Sequence, residues 1–268
     1  MIKIKIMKKY KLTEKTITIT RNGVEITLHQ IEALRDFADV KVGDKGGFVE
    51  SEINLSHDGT CWVYDCARIY DNAHISDHAI VYDHAEVYDH AEIYDSAEIY
   101  NYAEVCSNAE VSGNAQVFGD AKVCDNAIVY DNVLIYDNAQ ISNNSLIYGN
   151  AAILENAKIY DNARVYGNAR VYGNAEIYNN TYIRDYAKVY GDALVYGNAK
   201  IYDNAKVYDN AEVYGCAEIF GYVEIFGYVE VYDCAEIYDF AKIYDFAKIF
   251  GDSEICDDTE ICGNVKVN

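Results

Sequence analysis

An aliphatic residue recurs at every sixth position from Val63 to Val267 without an insertion or deletion, and this period constrains the fold more than any other feature. The interval holds 35 consecutive repeats of the form Ala-x-(Val/Ile)-Tyr-(Asp/Gly)-Asn. Because alternate residues of a strand face the same side, the Ala and the aliphatic residue share one side of a short strand. The next two residues are turn formers, and Asn tolerates the left-handed backbone of a sharp corner. The sequence therefore predicts a solenoid with one strand and one corner in each repeat.

This pattern resembles the hexapeptide repeat of left-handed parallel β-helix proteins, and the resemblance covers about three quarters of the chain. It implies that three hexapeptides make one triangular coil, so that residues eighteen positions apart stack on each other. We therefore expect an all-β fold, in which residues 61–268 form a left-handed parallel β-helix of about twelve coils. The absence of proline agrees, since each coil must donate backbone hydrogen bonds to its neighbour.

Residues 1–60 lack the repeat and are expected to form a small N-terminal cap. Thr16–Thr20 and Val24–Leu28 alternate β-branched residues on either side of Asn22-Gly23, which predicts a hairpin. Apolar residues at three-residue spacing in Gln30–Val40 predict a short amphipathic helix. The first coil of a solenoid exposes an apolar cross-section, so we expect this segment to cover it.

The entry segment Gly43–Cys66 carries a second resemblance. Its Gly-Gly-aromatic, Asn-Leu-Ser and Cys-Trp-Val-Tyr patterns resemble the start of bacterial and phage-encoded proteins with tandem Tyr-Gly-Asn-Ala repeats. That group is called transferase-like from its fold. Because one fold hosts many functions, the name identifies acyl transfer as a candidate activity only.

The formal net charge is -22, and the repeat region carries all of it. Residues 1–60 hold ten Lys/Arg and nine Asp/Glu, whereas residues 61–268 hold twelve and 35. Such a surface repels nucleic acid and anionic membranes and favours a basic partner. No apolar run is long enough to span a bilayer and Met1–Tyr10 lacks a signal-peptide core, which predicts a cytoplasmic protein.

The eight cysteines are scattered through the chain without the spacing of a zinc site or a secreted disulfide framework. Cys106 with Cys124, and Cys216 with Cys234, are eighteen residues apart and would lie on adjacent coils, within reach of a disulfide. In a cytoplasmic protein we expect free thiols.

Stacking at a period of eighteen sorts the outward residues into columns, and the column on the first face is nearly all aromatic. Phe118, Leu154, Phe226 and Cys262 interrupt its tyrosines. A further departure lies at two corners near the C-terminus, where aromatic residues replace Asn. Both sets either stabilise the solenoid by stacking or form a face for a protein partner or a second copy. The candidate partner-binding residues are Tyr64, Tyr82, Tyr100, Tyr136, Tyr172, Tyr190, Tyr208 and Tyr244 in the column, and Tyr222, Tyr228, Phe240 and Phe246 at the corners.

The resemblance to hexapeptide-repeat enzymes raises the question of whether this chain carries their catalytic features. Hexapeptide-repeat acyltransferases typically use a His general base at a subunit boundary and a loop excursion, and this chain has no excursion in its repeats. Related carbonic anhydrases bind zinc through three His, but His78, His84 and His90 are six residues apart and fall at three different corners. We therefore expect no catalytic residue, metal or cofactor.

The leading hypothesis is a non-catalytic, phage- or prophage-associated rod that binds a protein partner or another copy through its acidic, Tyr-rich faces. If the partner is basic, the rod would act as a DNA-mimic inhibitor of a nucleic-acid-binding or defence protein. The alternative is a trimeric acyltransferase. A cleft between subunits that holds His74, His78 or His84 would favour the enzyme, and unbroken faces without a pocket would favour the rod. The open strand edges at Val265–Asn268 also predict end-to-end association.

Overall fold

The computed structural model describes residues 8–268, and over this range the fold is a parallel β-solenoid of about twelve turns. No α-helix occurs among these residues. The chain divides into two compact units, Met1–Cys124 and Asp125–Asn268. The fold class predicted from the repeat is confirmed.

Each repeat contributes a strand of two residues, the aliphatic residue and the one before it, and within each unit the strands eighteen positions apart pair in parallel. Val87 and Ala85 point inward and are fully buried, whereas Glu86 between them lies at the surface. Backbone amides donate to the following coil, as from Arg68 to Ala85 O at 3.0 Å. The core is therefore a stack of Ala and Val or Ile.

Unit 1 begins with a hairpin of β1 (Tyr10–Arg21) and β2 (Val24–Ala33), joined at Asn22-Gly23. β3 (Lys45–Val49) pairs antiparallel with β2 and parallel with the coil strand Arg68–Ile69, and a 3-10 helix spans Glu52–Asn54. The hairpin is thus continuous with a face of the solenoid through β3.

The coil strands of unit 1 fall on three faces. The first-face strands are Trp62–Val63, Ile80–Val81, Glu98–Ile99 and Gln116–Val117; the second-face strands are Arg68–Ile69, Glu86–Val87, Glu104–Val105 and Lys122–Val123; the third-face strands are His74–Ile75, Glu92–Ile93 and Glu110–Val111.

Unit 2 repeats the pattern. Its first-face strands are Leu134–Ile135, Ala152–Ile153, Arg170–Val171, Lys188–Val189, Lys206–Val207, Glu224–Ile225, Lys242–Ile243 and Glu260–Ile261. Its second-face strands are Gln140–Ile141, Lys158–Ile159, Glu176–Ile177, Leu194–Val195, Glu212–Val213, Glu230–Val231, Lys248–Ile249 and Lys266–Val267. Its third-face strands are Ile128–Val129, Leu146–Ile147, Arg164–Val165, Tyr182–Ile183, Lys200–Ile201, Glu218–Ile219, Glu236–Ile237 and Glu254–Ile255.

The helix predicted over Gln30–Val40 is wrong. β2 continues to Ala33, opposite Tyr10, and a bridge between Phe37 and Val40 closes the turn that follows. Pairing with β1 already satisfies the backbone of β2, so a helix there would sacrifice these bonds. The role of residues 1–60 as a cap stays a prediction.

The expectation of free thiols is wrong for one cysteine pair. Cys106 and Cys124 form a disulfide between adjacent coils, with Cα atoms 4.7 Å apart, whereas Cys216 and Cys234 are free. Parallel stacking brings every pair eighteen residues apart this close, and Cys106 is in addition buried.

No helix in residues 8–268 is long and apolar enough to cross a membrane.

Candidate functional site

Within each unit, several first-face tyrosines stack on the next ring of the column. In unit 1 the ring centroids of Tyr82 and Tyr100 are 4.7 Å apart and their planes differ by 7°. In unit 2 the distance from Tyr172 to Tyr190 is 4.6 Å and from Tyr190 to Tyr208 is 4.7 Å. All eight tyrosines of the predicted column are half-buried. A ring in the column therefore presents mainly its edge and hydroxyl to solvent.

The hydroxyls of Tyr82 and Tyr208 remain protonated at neutral pH. Burial, reinforced by nearby carboxylates, raises the pKa of Tyr82 and Tyr208 to about 12. At the two ends of the set, Tyr64 donates to Asp39 at 2.7 Å and Tyr244 donates to Glu260 at 2.7 Å. The column is thus a neutral surface with hydrogen-bond donors along its edge.

The four corner aromatics form two stacked pairs, Tyr222 on Phe240 at 5.3 Å and Tyr228 on Phe246 at 5.4 Å. Unlike the column they are strongly exposed, at 56–60% of their surface. Partner binding at the corners or at the column stays a prediction.

The histidines that the sequence analysis weighed lie apart in unit 1. His74 is half-buried on a third-face strand, and its Nδ1 lies 2.6 Å from the carbonyl oxygen of Ile53. His78 Nδ1 lies 2.8 Å from the Thr60 hydroxyl, His84 packs on the Tyr102 ring at 5.1 Å, and His90 Nε2 contacts the Asn72 amide at 3.2 Å. No group of three or more His, Cys, Asp or Glu in residues 8–268 is placed to hold a metal ion.

The hydrogen bond of His74 determines its tautomer. A carbonyl oxygen only accepts, so Nδ1 carries a proton, and in the neutral form of the ring Nε2 carries the lone pair. His74 stands opposite Glu92 in the parallel pairing of its strand with the next one on the same face. The fold therefore orients the imidazole of His74 through the contact between Nδ1 and Ile53 O.

A hollow of about 300 Å³ opens on the first face of unit 2. Its floor is formed by short side chains, Ala152 and Leu154, at positions where the neighbouring coils carry a long residue and a tyrosine. The remaining lining residues are Leu134, Tyr136, Glu155, Arg170, Tyr172 and Lys188.

The cations of the hollow are Arg170 and Lys188, which occupy paired positions on adjacent strands. Among the described residues neither makes an ion pair, whereas the next cation of the same face, Lys206, binds Glu224 at 2.7 Å. Like charges directly opposite each other on neighbouring strands destabilise a sheet. The sequence analysis missed this hollow, although Leu154 within the aromatic column was a visible signal.

Comparisons with known proteins match limited stretches of the chain. The model of the YdcK β-solenoid repeat matches residues 157–173. Over 63 residues the chain is 38% identical to a protein of Escherichia coli (strain K12) named "Uncharacterized acetyltransferase YdcK". These residues make up 22% of this chain and 19% of that protein. The matched stretch thus spans about a fifth of this relative. The predicted resemblance to transferase-like hexapeptide-repeat proteins is confirmed.

Two solved structures also resemble the chain, at low similarity. The UDP-N-acetylglucosamine acyltransferase of Francisella novicida is 20% identical with a TM-score of 0.44, over 60% of this chain and 62% of that one. The enzyme of the same name from Campylobacter jejuni is 18% identical with a TM-score of 0.25, over 67% and 68%. Neither value is high enough to bear on function.

The leading hypothesis of a non-catalytic phage rod is contradicted by the relative that bears the name of an acetyltransferase, which favours the alternative. The preference for a basic partner that the net charge suggested stays a prediction, because net charge averages over the surface. Arg170 and Lys188 form a local cationic site on a chain whose total charge is -22. The rod hypothesis also expected unbroken faces without a pocket, and the hollow interrupts the first face of unit 2.

Proposed function

We propose that this protein is an acyltransferase in which His74 acts as the general base. The observation that carries the proposal is the 2.6 Å hydrogen bond between His74 Nδ1 and Ile53 O, which orients the ring and makes Nε2 the basic nitrogen of its neutral form. General bases must present a lone pair within hydrogen-bond reach of the proton that they remove. The acetyltransferase name of the sequence relative supports the reaction class.

The proposed reaction needs one protein group that first accepts a proton and then returns it. His74 Nε2 removes the proton of an amine or hydroxyl acceptor as that group attacks the carbonyl carbon of a thioester donor. The carbon–sulfur bond then breaks, the acyl group stays on the acceptor, and the imidazolium returns the proton to the leaving thiolate.

The other two histidines are weaker candidates for this role. The Thr60 hydroxyl beside His78 can donate or accept, so that contact does not select a tautomer. His84 is exposed and packs on Tyr102. His74 alone of the three is held by a group that can only accept.

The proposal includes a homo-oligomer in the cytoplasm, with a trimer as the state that the family resemblance implies. The exposed corner pairs, Tyr222 with Phe240 and Tyr228 with Phe246, are the contact surface that we propose between copies, because they are large exposed aromatic side chains of unit 2 that stack in pairs.

The test uses acetyl-CoA as donor and follows release of the free thiol, with water and added amines as acceptors. We expect His74→Gln to lower kcat/KM by about 10²- to 10⁴-fold while the thermal midpoint stays unchanged. His29→Gln is the matched control, because His29 Nδ1 also contacts a backbone carbonyl, Thr13 O at 3.2 Å, but lies in the hairpin. Absence of both binding and turnover of acetyl-CoA by the wild-type protein would contradict the proposal.

A further inference from the structure

The hollow on the first face of unit 2 is a gap of one rung in an aromatic ladder. Tyr136 and Tyr172 are two coils apart in the same column, and Leu154 occupies the coil between them. Coils rise by about 4.8 Å, so two rings separated by one missing rung stand roughly 9.6 Å apart. That spacing admits one flat ring, since the intact ladder of this unit stacks its rings 4.6–5.2 Å apart.

A second tyrosine ladder of unit 2 is also interrupted, and there a side chain of the protein fills the gap. It shows what kind of group such a gap accommodates. On the third face Arg184 stands at a position that its neighbours fill with tyrosine or phenylalanine, and its guanidinium lies 4.0 Å from the centre of the Tyr202 ring. A planar group of the chain itself therefore replaces the missing ring. At Leu154 the side chain is not planar, and it is shorter than a tyrosine.

Beside the aromatic residues, the hollow is lined by two cations, Arg170 and Lys188. Ala152 precedes Arg170 and Lys188 in the outward column of this face, and its methyl group leaves open the space beside Arg170. The carboxylate of Glu155 lies at the rim, where it accepts the backbone N–H of Gly173 at 2.8 Å. Two adjacent cations without a carboxylate partner are costly unless an anion joins them.

We propose that this hollow binds a small ligand made of one flat aromatic or heteroaromatic ring and an anionic group, a carboxylate or a phosphate. The ring inserts between Tyr136 and Tyr172 as the missing rung, and the anion accepts hydrogen bonds from Arg170 and Lys188. Base or aromatic stacking contributes about 1–3 kcal/mol per ring, and a guanidinium offers paired donors to a carboxylate or phosphate. The site is independent of His74 and does not rest on the proposed acyl transfer.

The experiment is a ligand-observed NMR titration of the full chain with phenyl phosphate. We compare it with phenol, which supplies only the ring, and with inorganic phosphate, which supplies only the charge. Phenyl phosphate should bind at least about tenfold more tightly than either part, a difference of about 1.4 kcal/mol. Equal affinity for inorganic phosphate and phenyl phosphate would refute the proposal that a ring inserts between Tyr136 and Tyr172.

Leu154→Tyr is the decisive variant, because it restores the repeat and fills the gap with a ring of the chain itself. It should abolish binding of phenyl phosphate while leaving the thermal midpoint unchanged or higher. Ser142→Tyr is the matched control, since Ser142 is the corresponding break in the second-face column of unit 2 and lies outside the hollow. Binding that survives in Leu154→Tyr overturns the proposal.

The charge is tested separately. Arg170→Gln with Lys188→Gln should weaken phenyl phosphate about tenfold or more and leave phenol unaffected. Lys200→Gln is the control, because Lys200 is already paired with Glu218 at 2.5 Å on the third face. A double variant that binds phenyl phosphate as tightly as the wild type overturns the assignment of the anion.

Discussion

Single residues at the corners explain why the repeat has Asp or Gly at its fifth position. Asp161 and Asn179 have φ of 59° and 57°, and Gly173 has φ of 75°. Asp and Asn enter this left-handed region more readily than other residues with a side chain, and Gly enters it without strain. The corner position therefore favours these three residue types, and only Ser107 and Glu155 depart from them, with φ of 59° and 60°.

Gly173→Ala tests how closely the corners approach each other. A Cβ at this position would lie 2.6 Å from the amide nitrogen and 2.7 Å from the carbonyl oxygen of Gly191. We expect a loss of about 1–3 kcal/mol in the free energy of unfolding, measured by chemical denaturation. Gly263→Ala is the control, because Gly263 has a similar φ of 76° but open space around its Cβ. Equal losses in both variants would mean that strain in φ, and not the contact with Gly191, is responsible.

His57 predicts a pH dependence of stability. Its ring packs on Tyr10 at 4.4 Å, Nδ1 accepts the Lys9 N–H at 3.2 Å, and the buried Nε2 has no hydrogen-bond partner among the described residues. Burial lowers the pKa of His57 below its usual 6.5, although Glu52 opposes this. Below that pH the unfolded chain takes up a proton that the folded chain resists, so stability is complete above about pH 6.5 and declines as the pH falls.

We therefore expect the free energy of unfolding to fall between pH 7.5 and pH 5.5, a range above the titration of the carboxylates. His57→Gln should reduce this slope. Parallel slopes for the variant and the wild type, measured by urea denaturation at each pH, would exclude His57 as the source.

At the scale of the element, a strand of two residues has no stability of its own and depends on its neighbours above and below. The stacked aromatic columns add to the backbone ladder. The ring of Tyr190 contacts Tyr172 and Tyr208 on both sides, and such ring pairs contribute about 0.5–1.5 kcal/mol each beyond the area that they bury. The column thus stabilises the solenoid whether or not it also contacts another molecule.

Tyr190→Leu should lower the free energy of unfolding by about 1–3 kcal/mol, because it removes both ring pairs. Tyr186→Leu is the control: Tyr186 stands at a corner of the adjacent face, is 60% exposed, and is expected to change stability by less than about 0.5 kcal/mol. If both variants lose the same amount, ring stacking is not what the column contributes.

At the scale of the whole molecule, the excess of acidic residues over residues 61–268 opposes the folded state by repulsion. Cross-strand ion pairs such as Lys158 with Glu176 at 2.8 Å offset little of this, because exposed pairs are worth less than about 1 kcal/mol. Net repulsion should therefore dominate the response of the protein to salt.

We expect the thermal midpoint to rise as NaCl increases, because the screening length falls from about 10 Å at 0.1 M to about 3 Å at 1 M. Replacing Asp203, Asp209, Asp233 and Asp239 by Asn should weaken this response. Asn is compatible with these corners, since Asn143 and Asn179 already occupy the same position with φ of 55° and 57°. A midpoint that falls with salt in the wild type would show that the ion pairs outweigh the repulsion.

The sequence by itself determined the solenoid, its faces and its aromatic columns. A period of six with buried Ala and Val or Ile leaves one way to align the strands, because a slip of one residue would expose the whole core. The corner residues follow for the same reason, since only a few residue types adopt the backbone that a corner requires.

Only the tertiary structure decided the extent of β2, the Cys106–Cys124 disulfide and the hollow beside Leu154. Apolar spacing in Gln30–Val40 fits a helix, and pairing with a distant strand overrides that local preference. The hollow depends on how two short side chains and two unpaired cations combine across adjacent coils. Such contacts join residues eighteen positions apart on one face, and a periodic sequence does not show which of its irregularities will meet.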